Sequence, residues 1–133
     1  MDYNWFAGFF SGDGCFYVSI RNNNERYKVS LEIQIGQHIK DEFLIKGLVN
    51  IFKTGDIYKN QHKNFINYKI GNFEDIYHKM IPLFNQYKIR GVKLLDYQDF
   101  CEVAKIIKAK DHLNSEGLKK IQLIKSRMNR ARY

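Results

Sequence analysis

Residues 6–16 of this chain, Phe-Ala-Gly-Phe-Phe-Ser-Gly-Asp-Gly-Cys-Phe, permit few architectures. Residues about 4–12 read as a helix with Phe6, Phe9 and Phe10 as its apolar contacts. Gly8 and Gly12 fall four residues apart, on one face, with Ala7 and Ser11 beside them. A face without bulk lets a second helix approach backbone to backbone. Glycine commonly ends helices, so this one is expected to stop near Asp13-Gly14. A carboxylate, Asp13, then stands at the tip of a close-packed helix pair. A helix C-terminus disfavours an anion, and a bound cation would offset that cost. The same residues also fit a glycine-rich helix end with an ordinary surface aspartate.

After the helix the period changes to two. Phe16, Val18 and Ile20 point one way, and Tyr17, Ser19 and Arg21 the other; Asn22-Asn23-Asn24 signals a turn. Val29, Leu31, Ile33 and Ile35 then alternate with Lys28, Ser30, Glu32 and Gln34. This is a hairpin with one buried face. Its other face carries groups that donate to phosphates or read base edges, and a two-stranded ribbon fits the major groove. An ordinary wetted sheet face has a similar composition.

Helical spacing is expected over about 40–52, with Asp41 and Glu42 in the first turn and Phe43, Leu44, Leu48 and Ile51 as the core stripe. A shorter hairpin, Asp56 to Asn60 and Phe65 to Ile70, turns through Gln61-His62-Lys63-Asn64. Asn72 is placed to cap a helix from about 73 that Pro82 should end or kink. Further helices are expected over about 92–109 and, capped by Asn114, over about 115–129, the latter with Leu118, Ile121, Ile124 and Met128 inward and basic residues outward. The order is helix, hairpin, helix, hairpin, helix, then C-terminal helices. It implies one α+β domain over residues 1–133, with a mixed or antiparallel sheet covered by helices on one face.

The formal charge of +8 suggests a polyanionic partner, most often nucleic acid. No segment approaches a membrane span, and no basic-then-apolar stretch at the N-terminus has the form of a signal peptide. Cys15 and Cys101 are far apart and His38, His62, His78 and His112 are scattered, which argues against a zinc site and for a reducing, intracellular compartment. Abundant Lys, Asn, Ile, Phe and Tyr point toward an AT-rich genome, such as that of a mitochondrion or chloroplast.

Phe6 to Gly14 resembles the motif that names the LAGLIDADG homing endonucleases, including the Phe that follows it. Further segments resemble that family in order: Gln34-Ile35-Gly36-Gln37, Gly55-Asp56-Ile57-Tyr58, Pro82-Leu83-Phe84 with Gly91-Val92-Lys93, and His112 to Leu118 with Met128-Asn129. The resemblance implies the αββαββα fold, a saddle-shaped antiparallel sheet with C-terminal helices. It implies Asp13 as the metal-binding acid, the Gly12 carbonyl as a second ligand, Mg²⁺ as the divalent cofactor, and Gln37 and Lys93 as further catalytic residues. Ser11 departs from the family's usual Asp at the sixth motif position.

The expected function is site-specific cutting of both strands of double-stranded DNA at a long pseudo-palindromic target, in the service of intron homing. Two carboxylate tips are needed for two strands. The chain is therefore expected to form an isologous homodimer through Phe6, Ala7, Gly8, Phe9, Ser11 and Gly12, or to be half of a two-motif enzyme. DNA contacts are expected from Tyr17, Ser19, Arg21, Lys28, Ser30, Glu32 and Gln34, joined by Tyr58, Asn60, Asn67 and Lys69. Two other functions remain open on this fold: an RNA maturase that assists splicing, and a DNA-binding protein without catalysis.

Overall fold

A computed structural model describes residues 1–24 and 26–132. Helix α1 (Tyr3–Asp13) leads into strands β1 (Gly14–Asn23) and β2 (Arg26–His38). A 3₁₀ turn (Ile39–Asp41) precedes α2 (Glu42–Phe52), followed by β3 (Asp56–Asn60) and β4 (Phe65–Ile70). Helical structure then continues through α3 (Phe73–Asp75), a π turn (Ile76–Met80) and α4 (Ile81–Gln86). The chain closes with α5 (Lys93–Lys108), α6 (Ser115–Ser126) and a short 3₁₀ segment (Asn129–Arg132). Among the described residues, no helix is long and apolar enough to cross a membrane.

The four strands form one antiparallel sheet in the order β1-β2-β4-β3. Its register follows from the alternation in the sequence. Phe16 pairs with Ile33 and Val18 with Leu31 on the covered face, while Tyr17 pairs with Glu32 and Ser19 with Ser30 on the open one. A slip of one residue would turn both sets over, exposing the apolar row and burying the charged one. Gly55, at φ +86°, makes the turn into β3, and a Cβ there would lie 2.6 Å from the Lys69 carbonyl oxygen. The glycine turn expected at this point is therefore required twice over, by backbone conformation and by space.

An aromatic cluster centres the core. Phe6, Phe10, Phe16 and Phe84 are each at most 1% exposed, and Phe6 stacks on Phe84 with ring centres 5.8 Å apart. Each such burial contributes about 1.5–3 kcal/mol. Gly14 belongs to this packing. It ends α1 in extended backbone, at φ −87°, so the expectation that glycine's conformational freedom stops the helix is not what operates. The space does: a Cβ at Gly14 would sit 2.5 Å from the Phe10 ring.

Two local expectations are met only in part. The buried residues of α2 are Ile45, Leu48 and Phe52, while Phe43 is 91% exposed and Ile51 points outward. Apolar residues occur on nearly every side of this helix, so periodicity alone leaves its rotation open; contact with β3 and β4 decides it. Pro82 does not end its helix, which runs on to Gln86. The proline sits in the first turn of α4, directly after the π turn, where the ladder is already shifted and the missing N–H costs little. Asn72 and Asn114 cap as expected, accepting from the backbone N–H of Asp75 at 3.0 Å and of Gly117 at 2.8 Å.

Candidate functional site

Strand parity collects the expected DNA-facing residues on the open side of the sheet. Cys15, Tyr17, Ser19 and Arg21 of β1 pair with Gln34, Glu32, Ser30 and Lys28 of β2. Gln34 pairs with Lys69 and Gly36 with Asn67 of β4, and Tyr58 and Asn60 of β3 continue the row. The face is organised by its own contacts. Gln34 donates from Nε2 to Glu32 Oε1 and accepts from Asn67 Nδ2 at 3.1 Å. Lys69 lies 4.9 Å above the centre of the Tyr58 ring. The Asn67 Oδ1 is buried without a hydrogen-bond partner among the described residues, so one acceptor on this face is left for an incoming donor.

Asp13 is exposed at the end of α1 and opens onto this face. A shallow pocket of about 210 Å³ is lined by Asp13, Cys15, Tyr17, Gln34, Gly36 and Asn67, with Phe65 lying across Gly36. Among the described residues Asp13 has no ion pair and no side-chain hydrogen bond, and no three His, Cys, Asp or Glu side chains cluster to hold a metal. The fit is to a hard cation that takes one carboxylate and completes its shell with phosphate and water, as Mg²⁺ does. Gly12 lies in the last turn of α1, where carbonyl oxygens lack intrahelical partners.

Lys93 comes to the same corner from the far end of the chain. The Ser11 hydroxyl donates to the Ala7 carbonyl at 2.6 Å and accepts from the Arg90 backbone N–H at 3.0 Å. Gly91 follows at φ +74°, and α5 starts at Lys93. The lysine ammonium reaches 3.8 Å from Cys15 Sγ. Cys15 therefore separates Lys93 from the Asp13 pocket. Burial, then a hydrogen bond with Cys15, pushes the Tyr17 phenol up to about 12; it is a donor at physiological pH, as an unshifted phenol also is.

The structure does not bring Gln37 to this pocket. It pairs with Ile66, in step with the core-facing Ile33 and Ile35, whereas Gln34 faces Asp13. His38 accepts from the Lys40 backbone N–H at 3.1 Å and so caps the 3₁₀ turn. The expected pairing face of α1 also needs correction. Phe6 and Ala7 are 1% and 2% exposed, inside the core, and Ser11 is bound to the loop before α5. The outward face is instead Trp5, Gly8, Phe9 and Gly12, with Trp5 stacked on Phe9 at 5.3 Å. A Cβ at Gly8 or Gly12 would meet nothing within 4 Å. Glycine inside a helix costs about 1 kcal/mol relative to alanine, and no contact among the described residues accounts for it. Cys15, Gly36 and Phe65 were not singled out from the sequence. Their parity with Tyr17, Gln34 and Asn67 was the available signal.

The chain matches the LAGLIDADG endonuclease family over residues 6–104. It belongs to that family. It is 35% identical over 96% of its length to Probable intron-encoded endonuclease 3 of Neurospora crassa, and 38% identical over 92% to Probable intron-encoded endonuclease 2 of the same fungus. It spans about a quarter of the length of these relatives, 24% and 26%. Among solved structures it is similar to the meganuclease I-SmaMI bound to uncleavable DNA, with 40% identity, a TM-score of 0.95, and 99% of this chain matched to 45% of that one. I-SmaMI is also known on an uncleaved target in the presence of calcium ions. The LAGLIDADG homing endonuclease I-GzeII in complex with its DNA target is similar at 43% identity and a TM-score of 0.90, over 97% of this chain and 44% of that one. The fold of this LAGLIDADG chain is thus that of proteins seen bound to DNA.

Proposed function

We propose that this domain is a site-specific, metal-dependent DNA endonuclease that cuts both strands of a long pseudo-palindromic target and serves the homing of an intron in an AT-rich, organellar genome. The observation that carries the reading is Asp13, a carboxylate without a partner among the described residues, at the rim of a polar sheet face. I-SmaMI bound to an uncleaved target in the presence of calcium ions supports a part for a divalent ion in the reaction.

Each residue then has a task. Asp13 and the Gly12 carbonyl would hold the ion, which would supply activation of water and charge stabilisation at the leaving oxygen of an in-line displacement. Lys93 places an ammonium near the scissile phosphate, where developing charge is greatest. Tyr17, kept protonated, donates to a phosphate oxygen. Gln34 takes the polar position at the pocket wall that the family resemblance implied for Gln37. The second carboxylate tip comes from a second domain of this fold, a second copy when the chain acts alone, packed on Trp5, Gly8, Phe9 and Gly12.

Lys93→Met is expected to lower the single-turnover rate at saturating DNA by roughly tenfold to a thousandfold, with little change in affinity. Weaker binding with an unchanged rate would make Lys93 a phosphate anchor only. On the sheet, Arg21→Ala and Gln34→Ala are each expected to change base preference at particular target positions, by about 1–3 kcal/mol of discrimination. Selection of preferred sites from a randomised duplex library checks this, and profiles identical to wild type would remove the face from base reading. A plasmid-cleavage assay with Mg²⁺ beside a binding assay on an intron transcript separates the endonuclease from a maturase on the same fold.

A further inference from the structure

The C-terminal segment is fixed by two buried carboxylates that the site chemistry does not use. Asp96 and Asp99, three apart on α5, are 0% and 7% exposed. Carboxylates so placed are costly unless paired and hydrogen-bonded. Their partners all come from the end of the chain. Arg132 Nε lies 3.0 Å from Asp96 Oδ1, and its guanidinium also meets Asp99. Arg127 Nη2 lies 2.8 Å from Asp99 Oδ1. The two arginines hold the Asp99 carboxyl below its usual range although burial works to raise it. The Asn129 backbone N–H donates to Asp96 Oδ1 at 3.0 Å. From φ +57°, the Asn129 side chain donates to the Phe16 carbonyl of β1, the edge strand, at 2.9 Å.

Arg130 sits inside this latch and is not part of it. It is exposed, and among the described residues it makes no ion pair. Together with Cys15, Tyr17, Lys93 and Asn129 it lines a cavity of about 620 Å³, and its charge acts on the Tyr17 phenol. This cavity contains two cations and no carboxylate. Cys15 and Tyr17 form its common wall with the Asp13 pocket. Acid and base are thus sorted into adjacent compartments: one fits a metal, the other a phosphodiester. Guanidinium and ammonium flanking one cavity suit a phosphate group, the arginine as a two-pronged donor and the lysine as a point charge.

We propose that Arg130 is a phosphate-binding residue of the cleavage site, acting with Lys93 on one DNA phosphodiester, and that Asp96 and Asp99 are the positioning residues that deliver it. The proposal rests on the endonuclease reading, and the test separates the two. Affinity for a library-selected duplex is measured against salt with Ca²⁺ present, and single-turnover cleavage is measured with Mg²⁺.

Arg130→Ala is expected to reduce the slope of log affinity against log salt by about 0.9, the value for one phosphate contact, and to lower the rate about tenfold or more. Arg130→Lys should keep the slope. Asp96→Asn, remote from DNA, should reproduce the slope loss in the wild-type background and add nothing to it in the Arg130→Ala background. If that variant does not fold, Asp99→Asn takes its place, loosening Arg127 and Arg132 without touching the cavity wall. An unchanged slope in Arg130→Ala overturns the contact. An additive loss in the double variant overturns the positioning. Wild-type protein that binds but never cuts overturns the endonuclease reading, while the slopes still decide Arg130. Wild-type protein that binds no DNA overturns both.

Discussion

Asp13→Asn is expected to abolish cleavage in Mg²⁺ while leaving DNA affinity equal or slightly higher. The substitution keeps the size of the side chain and removes its charge. In the structure Asp13 is exposed and has no partner among the described residues, so folding loses nothing and thermal stability should hold. The lost charge has two roles that pull binding in opposite directions: it holds the ion, and it repels the DNA backbone. Binding measured without metal should therefore improve slightly, and the cleavage rate should fall to background. A variant that still cuts near the wild-type rate would take Asp13 out of the metal site, and with it the basis of the assigned chemistry.

Gly8→Leu should separate folding from assembly. Within the subunit a Cβ at Gly8 meets nothing within 4 Å, and leucine is a better helix former than glycine by roughly 0.7 kcal/mol. The melting temperature of the variant should hold or rise. Between subunits the same side chain would hold two α1 helices apart where close backbone approach is needed. Sedimentation on target DNA should show the wild-type chain as a pair and the variant as a single copy without double-strand cutting. A wild-type monomer that cuts both strands would contradict the pairing. A destabilised variant would instead mean that Gly8 faces the core.

The sheet was legible because its signal is simple. Strict alternation in β2 fixed register, buried face and polar face together, and the shorter hairpin fell on the expected residues, Asp56 to Asn60 and Phe65 to Ile70. Asn72 and Asn114 were legible as caps because a cap is a local hydrogen bond. α6 was legible in place and in rotation, with Ile121, Ile124 and Met128 inside as expected, whereas α1 and α2 were legible only in place. α2 carries apolar residues on most sides, and only the packed sheet shows that Ile45 is inside and Phe43 outside. In α1 the same ambiguity put Phe6 and Ala7 on the pairing face and left out Trp5. Gln37 was displaced by one strand parity: its segment resembles the family's, but alternation gives the pocket to Gln34. The latch could not be read at all. Asp96 and Asp99 meet residues about thirty positions away, and nothing in the periodicity of α5 distinguishes a buried aspartate from an exposed one.

The most direct test of the account uses a duplex selected from a randomised library, labelled on both strands and incubated with the chain in Mg²⁺ and in a chelator. Both strands are expected to be cut at one site in Mg²⁺ and neither in the chelator, and Asp13→Asn is expected to cut neither strand in either condition while still binding. Specific binding without any cut in Mg²⁺, or cutting that survives the chelator, would contradict this.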